Sequence, residues 1–198
     1  MLIALPSLAC LALVSTLIAS SCAFCGGIAD KVLGIISNIL MAFPPFLIAI
    51  TLVGLLESKA FSIIISIVSA MWVWNVRIIR THVLAEKSKD YIITARMSGC
   101  SEARILFCHL IPNIIPHLLV LFSTGLSSII IMISSYAFLG LGLEAGIAEW
   151  GAMMVNSNKL IFSHPELIVY PGLCIMFTAG GFNLFGEALR DILAAEEK

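Results

Sequence analysis

Five stretches of this chain are too long and too apolar to be packed inside a water-soluble core, and they limit what it can fold into. They lie at about residues 3–25, 33–56, 60–76, 115–139 and 167–186. The hydrocarbon core of a bilayer is about 30 Å thick, and a helix crosses it in roughly 20 residues. Inside hydrocarbon every backbone N–H and C=O needs a partner within the protein, which leaves helices and closed barrels as spanning structures. The alternating polarity of barrel strands is absent. The sequence therefore predicts an all-α, polytopic transmembrane bundle of about five spans, forming one domain over residues 1–198. Composition agrees, because charged residues make up 12% of the chain, against roughly 25% in a soluble domain.

Each stretch carries its own punctuation. The first ends at Gly26-Gly27, ahead of Asp30-Lys31, and the second is interrupted by Pro44-Pro45. The third ends in Trp72 and Trp74 before Arg77, the fourth opens at Pro116 and closes at Gly140 and Gly142, and the fifth holds Pro171 and Gly180-Gly181. The tryptophans read as an interfacial anchor, and Gly125 and Gly180-Gly181 as points of close helix approach. Pro44-Pro45 reads either as a broken helix beside a substrate path or as a kink whose backbone is re-satisfied by packing. No basic segment precedes the first stretch, so it reads as a span and not a signal peptide. Cys22-Ala23-Phe24-Cys25 has CxxC spacing but no second pair, and the six cysteines read as soft packing residues.

Charge placement sets the orientation. With the loop at 77–104 in the cytoplasm, Lys31, Arg77, Arg80, Lys87, Lys89, Arg96, Arg104, Arg190 and Lys198 all fall inside, and only Lys59 and Lys159 outside. This is the positive-inside asymmetry, and it puts the C-terminus in the cytoplasm. The same topology leaves the N-terminus outside without a basic anchor, so a further span is expected upstream of Met1. The net charge of −1 gives no reason to expect nucleic acid as a partner.

The span interiors argue against a self-powered carrier. A charge at the bilayer centre costs about 2.5–3.5 kcal/mol on insertion scales, and retained charges usually mark ion or proton pathways. The fourth stretch has no Asp, Glu, Lys or Arg at all. Energy is therefore expected from a partner. A membrane-embedded enzyme is equally disfavoured, since no nucleophile–base pair occurs at useful spacing. His109, His117 and His164 read as surface or capping residues.

The loop between the third and fourth stretches is the informative segment. Ser88 is expected to cap a short helix with Asp90 in its first turn, running through Tyr91, Ala95 and Arg96 to Met97. Gly99 then supplies the permissive residue expected after a helix end. Ser101 caps a second helix, with Glu102 at its first position, that continues towards Pro112. The pattern is a helix–Gly–helix elbow carrying apolar side chains outside the membrane. It suits either a membrane-surface connector or a docking element for a soluble partner.

Asp90-Tyr91-Ile92-Ile93-Thr94-Ala95-Arg96-Met97-Ser98-Gly99, followed by His109-Leu110-Ile111-Pro112-Asn113, resembles the EAA loop of binding-protein-dependent ABC importer permeases. Phe138-Leu139-Gly140-Leu141-Gly142, Glu149-Trp150-Gly151, Pro171-Gly172-Leu173 and the run from Phe182 to Asp191 are similar to the dipeptide/oligopeptide/nickel subfamily, in its C-type subunit. One departure stands out: the acidic residue that names the loop is Ile93 here. The resemblance implies a type I importer fold in the bacterial or archaeal inner membrane, with the coupling loop at about 86–113. It also implies a second, B-type permease subunit, two ATP-binding subunits that hold the ATP, and an extracytoplasmic solute-binding protein. No phosphate-binding GxxxxGK[ST] motif occurs in the chain, so no nucleotide cofactor is expected on it. Within the subfamily, Ala148-Glu149-Trp150-Gly151 and the Ser98-Gly99 step look more like nickel importers. A dipeptide importer would more often have a Pro-rich approach where this chain has Glu144-Ala145-Gly146-Ile147. Glu149 and Trp150 are expected to form an outer gate or to contact the binding protein, and no residue is assigned as a metal ligand.

Overall fold

The computed structural model describes residues 2–56, 60–143, 147–157 and 160–196. Lys59, Lys159 and Lys198 of the charge asymmetry, and Glu144, Ala145 and Gly146 of the approach to Trp150, lie outside the described residues. All regular structure among the described residues is helical: α1 (Ala4–Cys25), α2 (Gly27–Leu40), α3 (Pro45–Leu55), α4 (Ala60–Lys87), α5 (Asp90–Met97), α6 (Glu102–Arg104), α7 (Ile111–Phe138), α8 (Trp150–Ser157) and α9 (Glu166–Glu196). Four helical runs are long and apolar enough to cross a membrane, or five when α2 and α3 count as one bent span.

Small residues explain the tightest seam. Ala4, Ser7, Leu11, Ser15, Ala19 and Ala23 follow one another at three- or four-residue steps and are all buried, so α1 presents a narrow face of mostly short side chains to α4. Ser62, Ser66 and Ala70 do the same on α4. Short side chains let two backbones approach, which is how helices associate when lipid offers no hydrophobic drive. The hydroxyls cost little here because they bond to nearby carbonyls: Ser7 to that of Ile3 at 2.8 Å, Ser66 to that of Ser62 at 2.7 Å, and Ser62 to that of Leu56 at the end of α3 at 3.0 Å.

Above and below the middle of this seam the interior divides into two clusters. One, around Leu11, Val53, Ile63, Ile67, Ile129, Ile133 and Tyr136, lies towards the N-terminal ends of α1 and α4. The other, around Ala23, Val76, Ile79, Val83, Ile92, Ile105 and Leu110, lies at the elbow end. Trp72 packs against both. It is partly buried and bridges the two, while Trp74 is exposed and lies within the helix rather than at its end. The cause is that α4 does not stop at Arg77: it runs on to Lys87.

Proline accounts for the two departures from straight α-helix. Pro44 offers no N–H to the Leu40 carbonyl, which accepts instead from Phe43 in a tight turn at 3.2 Å. Pro44 also takes an extended conformation ahead of Pro45 (φ −59°, ψ 127°), and Pro45 opens α3. The result is a true break, with α2 and α3 at 83°. The second departure precedes α7. Pro112 cannot donate to Cys108, and the helix widens over Ile105–Leu110 into π-helical turns, with Ile111 donating to Leu106 five residues back. The elbow's second helix and the fourth span are thus one run from Glu102 to Phe138, where the sequence suggested two pieces.

The close-approach glycines are not the expected ones. Within this chain nothing lies within 4 Å of a Cβ built on Gly125, Gly180 or Gly181. A Cβ on Gly186 would meet Thr124 Cγ2 at 2.6 Å, one on Gly142 would meet the Ala137 backbone at 2.8 Å, and one on Gly151 would run into the Ser134 carbonyl. Gly186→Val is expected to destabilise the bundle by about 1–3 kcal/mol through overpacking. Gly180→Ala should be neutral or slightly stabilising, since a helical Gly→Ala change gains about 0.5–1 kcal/mol. Thermal unfolding of the two variants in detergent tests this; equal midpoints would refute the assignment.

Candidate functional site: a capped elbow and a buried carboxylate

The elbow is built where α4 leaves the bundle. α5 starts at Asp90, with Lys89 in the extended conformation of an N-cap and no side-chain bond. Ser88 does not cap it as expected; its hydroxyl donates to the Ala85 carbonyl at 2.8 Å. Ser88 directly follows the last turn of α4, whose unpaired carbonyls attract the hydroxyl first. At the other end of α5, Gly99 at φ +80° adopts the left-handed conformation. Its N–H bonds to the Arg96 carbonyl and that of Cys100 to the Ala95 carbonyl, both at 3.1 Å. These are the paired bonds of a Schellman cap, and a β-carbon at Gly99 would be strained. Ser101 then caps the next helix, accepting from the Arg104 N–H at 3.4 Å.

Side chains fix the angle between the two arms. Arg96 donates through Nε and Nη2 to both carboxylate oxygens of Glu102, at 2.7 and 2.9 Å, across the Gly99 turn. Such a two-point pair sets orientation as well as distance. On the inner side Tyr91 donates to Glu86 Oε1 at 2.8 Å and accepts from Asn113 Nδ2 at 3.0 Å. Burial, with the Glu86 carboxylate beside it, pushes the Tyr91 hydroxyl up to about 12. Glu86 is further paired with Lys89 at 2.8 Å. Ile92 is fully buried in the elbow-end core, with Tyr91, Ala95 and Cys100 packed beside it. The outer face is left apolar: Ile93 is 47% and Met97 84% exposed, one helical turn apart. Pro112 follows at the start of α7. Asp90, Tyr91, Ala95, Arg96, Gly99 and Ser101 are therefore gathered in one motif, with Pro112 at its root. The network of Glu86, Glu102 and Asn113 that holds them escaped sequence reasoning; the only signal for it was an acidic residue three positions after Gly99.

Glu149 and Trp150 lie at the far end of α7, where Glu149 immediately precedes α8. They line a cavity of about 230 Å³ with Ala4, Ile130, Ile133, Ser134 and Ala148. Both Glu149 carboxylate oxygens are buried without a hydrogen-bond partner. Burial pushes this carboxyl above the usual range, and the Leu143 backbone beside it draws it partly back. Glu149 thus turns its carboxylate inward, towards the Gly142 turn. On α4 and α7, His117 packs against His82 with ring centroids 4.6 Å apart, beside Arg190, so it is not a capping residue.

A helical bundle with four or five candidate spans and a capped helix–Gly–helix elbow defines a polytopic membrane protein. The chain belongs to the family described as binding-protein-dependent transport system inner membrane component, which it matches over residues 12–196, and is an ABC importer permease. It is 33% identical over 189 residues to the nickel transport system permease protein NikC of Escherichia coli (strain K12), covering 94% of this chain and 68% of that protein. It is 32% identical over 153 residues to the metal-staphylopine import system permease protein CntC of Staphylococcus aureus (strain Mu50 / ATCC 700699), covering 77% of this chain and 53% of the relative. With the dipeptide transport system permease protein DppC of Alkalihalophilus pseudofirmus it shares 32% over 169 residues, 85% of this chain and 56% of the relative.

Tyr91→Phe is expected to cost about 1 kcal/mol, the usual net worth of a lost hydrogen bond. It should show as faster proteolytic cleavage between Lys89 and Arg104 with the spans still intact. Unchanged cleavage would mean that Glu86 and Asn113 hold the elbow without the hydroxyl.

Proposed function

We propose that this chain is the C-type membrane subunit of an ATP-driven importer, and that α5 with the Gly99 turn is the coupling element docked by an ATP-binding subunit. The observation that carries this reading is a rigid, internally neutralised elbow whose outer face is apolar (Ile93 and Met97) although it stands clear of the spans. A mere connector has no need of a Schellman cap, a two-point ion pair across the turn and a buried anchor at Ile92. ATP is held on partner subunits in this reading, and the chain itself carries out no reaction. A B-type permease completes the pathway and an extracytoplasmic binding protein delivers the solute. The elbow and the C-terminus face the cytoplasm, and the functional unit is a single permease domain with its coupling loop at about 86–113.

The mechanism is alternating access. Closure of the paired ATPases displaces the elbow, and because Ile92 and Ile105 sit in the same cluster as Val76, Ile79 and Val83, the push enters α4 and α7 together. The Ile93 substitution fits this scheme if the receiving groove makes apolar contacts there and not an ion pair.

Nickel or a metal chelate is the proposed cargo, on the strength of the 94% coverage by the nickel relative. A di- or oligopeptide is the second reading, supported by the dipeptide relative that matches 85% of the chain. Among the described residues no three His, Cys, Asp or Glu side chains gather to hold a metal ion.

Gly99→Leu is expected to leave the protein in the membrane and abolish solute uptake while uncoupled ATP hydrolysis persists. Uptake at the wild-type rate would count against a docking role. Cysteine pairs that join position 95 to the ATPase groove should cross-link in the assembled transporter, and failure across several pairs with assembly intact would remove the proposed contact.

A further inference from the structure

Three cations of α4 are engaged within the chain, and all three bear on α2 or on the turn that leads into it. Lys87 donates to the Phe24 carbonyl at 2.5 Å, in the last turn of α1, with its ammonium 5.5 Å from the Phe24 ring centroid. Arg80 donates through Nε and Nη2 to both carboxylate oxygens of Asp30, each at 2.6 Å. Arg77 Nη1 reaches Met41 Sδ at 3.5 Å, beyond the other end of α2. Packing does little to hold α2. Leu33 and Ser37 are its buried residues, while Ile28, Val32, Ile35, Ile36 and Ile39 are exposed. The turn before it has positive φ at both Gly26 and Gly27 (71° and 67°), and the chain after it breaks at Pro44. A helix bounded by such turns moves as one piece about them, because a few terminal residues absorb the rotation.

Arg80 connects this helix to the elbow. It lies on α4 between Ile79 and Val83, both fully buried in the cluster that also holds Ile92 and Ile105. A displacement of the elbow therefore carries this turn of α4, and Arg80 with it. The two-point contact with Asp30 fixes orientation as well as distance. We propose that Asp30 and Arg80 are positioning residues for transport: their pair makes α2 follow α4 when the elbow is displaced, so that α2 does not lag behind at the Gly26-Gly27 turn. Neither residue touches solute or nucleotide in this scheme. The inference rests on the importer reading of the chain, and it adds a third element to the two, α4 and α7, that receive the push directly. Arg80, which the charge asymmetry uses only as a marker of the cytoplasmic side, thereby has a second task.

The test uses the assembled transporter in membranes, with the six native cysteines replaced by alanine and nitroxide labels on Ile35→Cys and Leu84→Cys. In the otherwise wild-type protein the distance distribution between the labels is expected to be the same without nucleotide and after trapping with ATP and vanadate. In Asp30→Asn it should shift and broaden on trapping, and stimulation of ATP hydrolysis by the binding protein should fall about tenfold, as loss of a charged hydrogen-bonded pair implies. Arg80→Lys, which keeps the charge but not the two-point contact, should fall between. The exchange Asp30→Arg with Arg80→Asp should restore both readouts, whereas a role in stability alone would leave stimulation per assembled transporter unchanged in all variants. Lys31→Gln, a change of charge on the neighbouring residue, should alter neither readout. A label distance that changes on trapping in the wild type would overturn the proposal. So would Asp30→Asn with both readouts at wild-type values, or an equal loss in Lys31→Gln. Absence of stimulation in the wild type would remove the importer reading itself; stimulation that is present but insensitive to Asp30→Asn removes only the Asp30–Arg80 role.

Discussion

The architecture depends on the requirement that backbone polar groups be satisfied inside each segment. In hydrocarbon no water is present to rescue an open N–H or C=O, so every span must be a helix and every interruption must repair its own hydrogen bonds. The two proline sites show this at work. At Pro44-Pro45 the chain abandons the helix and restarts it at 83°, with Leu47 and Ile48 donating to the Pro44 carbonyl at 3.0 and 3.3 Å. At Pro112 the helix widens into π-turns and continues. The same chemical deficiency has two outcomes. Of two consecutive prolines the first is forced into an extended conformation, whereas a single proline within a packed run asks only for one carbonyl to be rearranged.

With the helices obligatory, small residues decide how they assemble. The Ala4–Ser7–Leu11–Ser15–Ala19–Ala23 face of α1 seats on α4, and the contact carries two clusters that share Trp72. This arrangement has a mechanical consequence. The elbow is anchored through Ile92 in the lower cluster, and α4 and α7 pass from that cluster into the upper one. α7 runs from the lower cluster to the Glu149 cavity, which Ile130, Ile133 and Ser134 line.

Much of the elbow was legible in the primary structure because its determinants are local. A left-handed Gly99 after a short helix and Ser101 ahead of Glu102 are set by neighbours in sequence, and both stand in the structure as expected. One failure was equally local in cause and the other was tertiary. Ser88 met a nearer carbonyl before it could cap α5. Gly125 and Gly180-Gly181 sat in apolar runs like any interface glycine, yet the backbones that come close belong to Gly142, Gly151 and Gly186. Nothing in the spacing of residues along one helix says which face a neighbour will occupy.

The sequence by itself determined that the chain is helical and membrane-spanning, where its helices are interrupted, and that a capped elbow stands outside the spans. These follow from hydropathy, proline and glycine, which act within a turn or two of backbone. Only the tertiary structure decided that Arg96 closes the elbow on Glu102, that Trp72 joins two interior clusters, and that Glu149 faces inward beside α7. Those outcomes depend on the distance between side chains on different segments, and that distance exists only once the helices have packed.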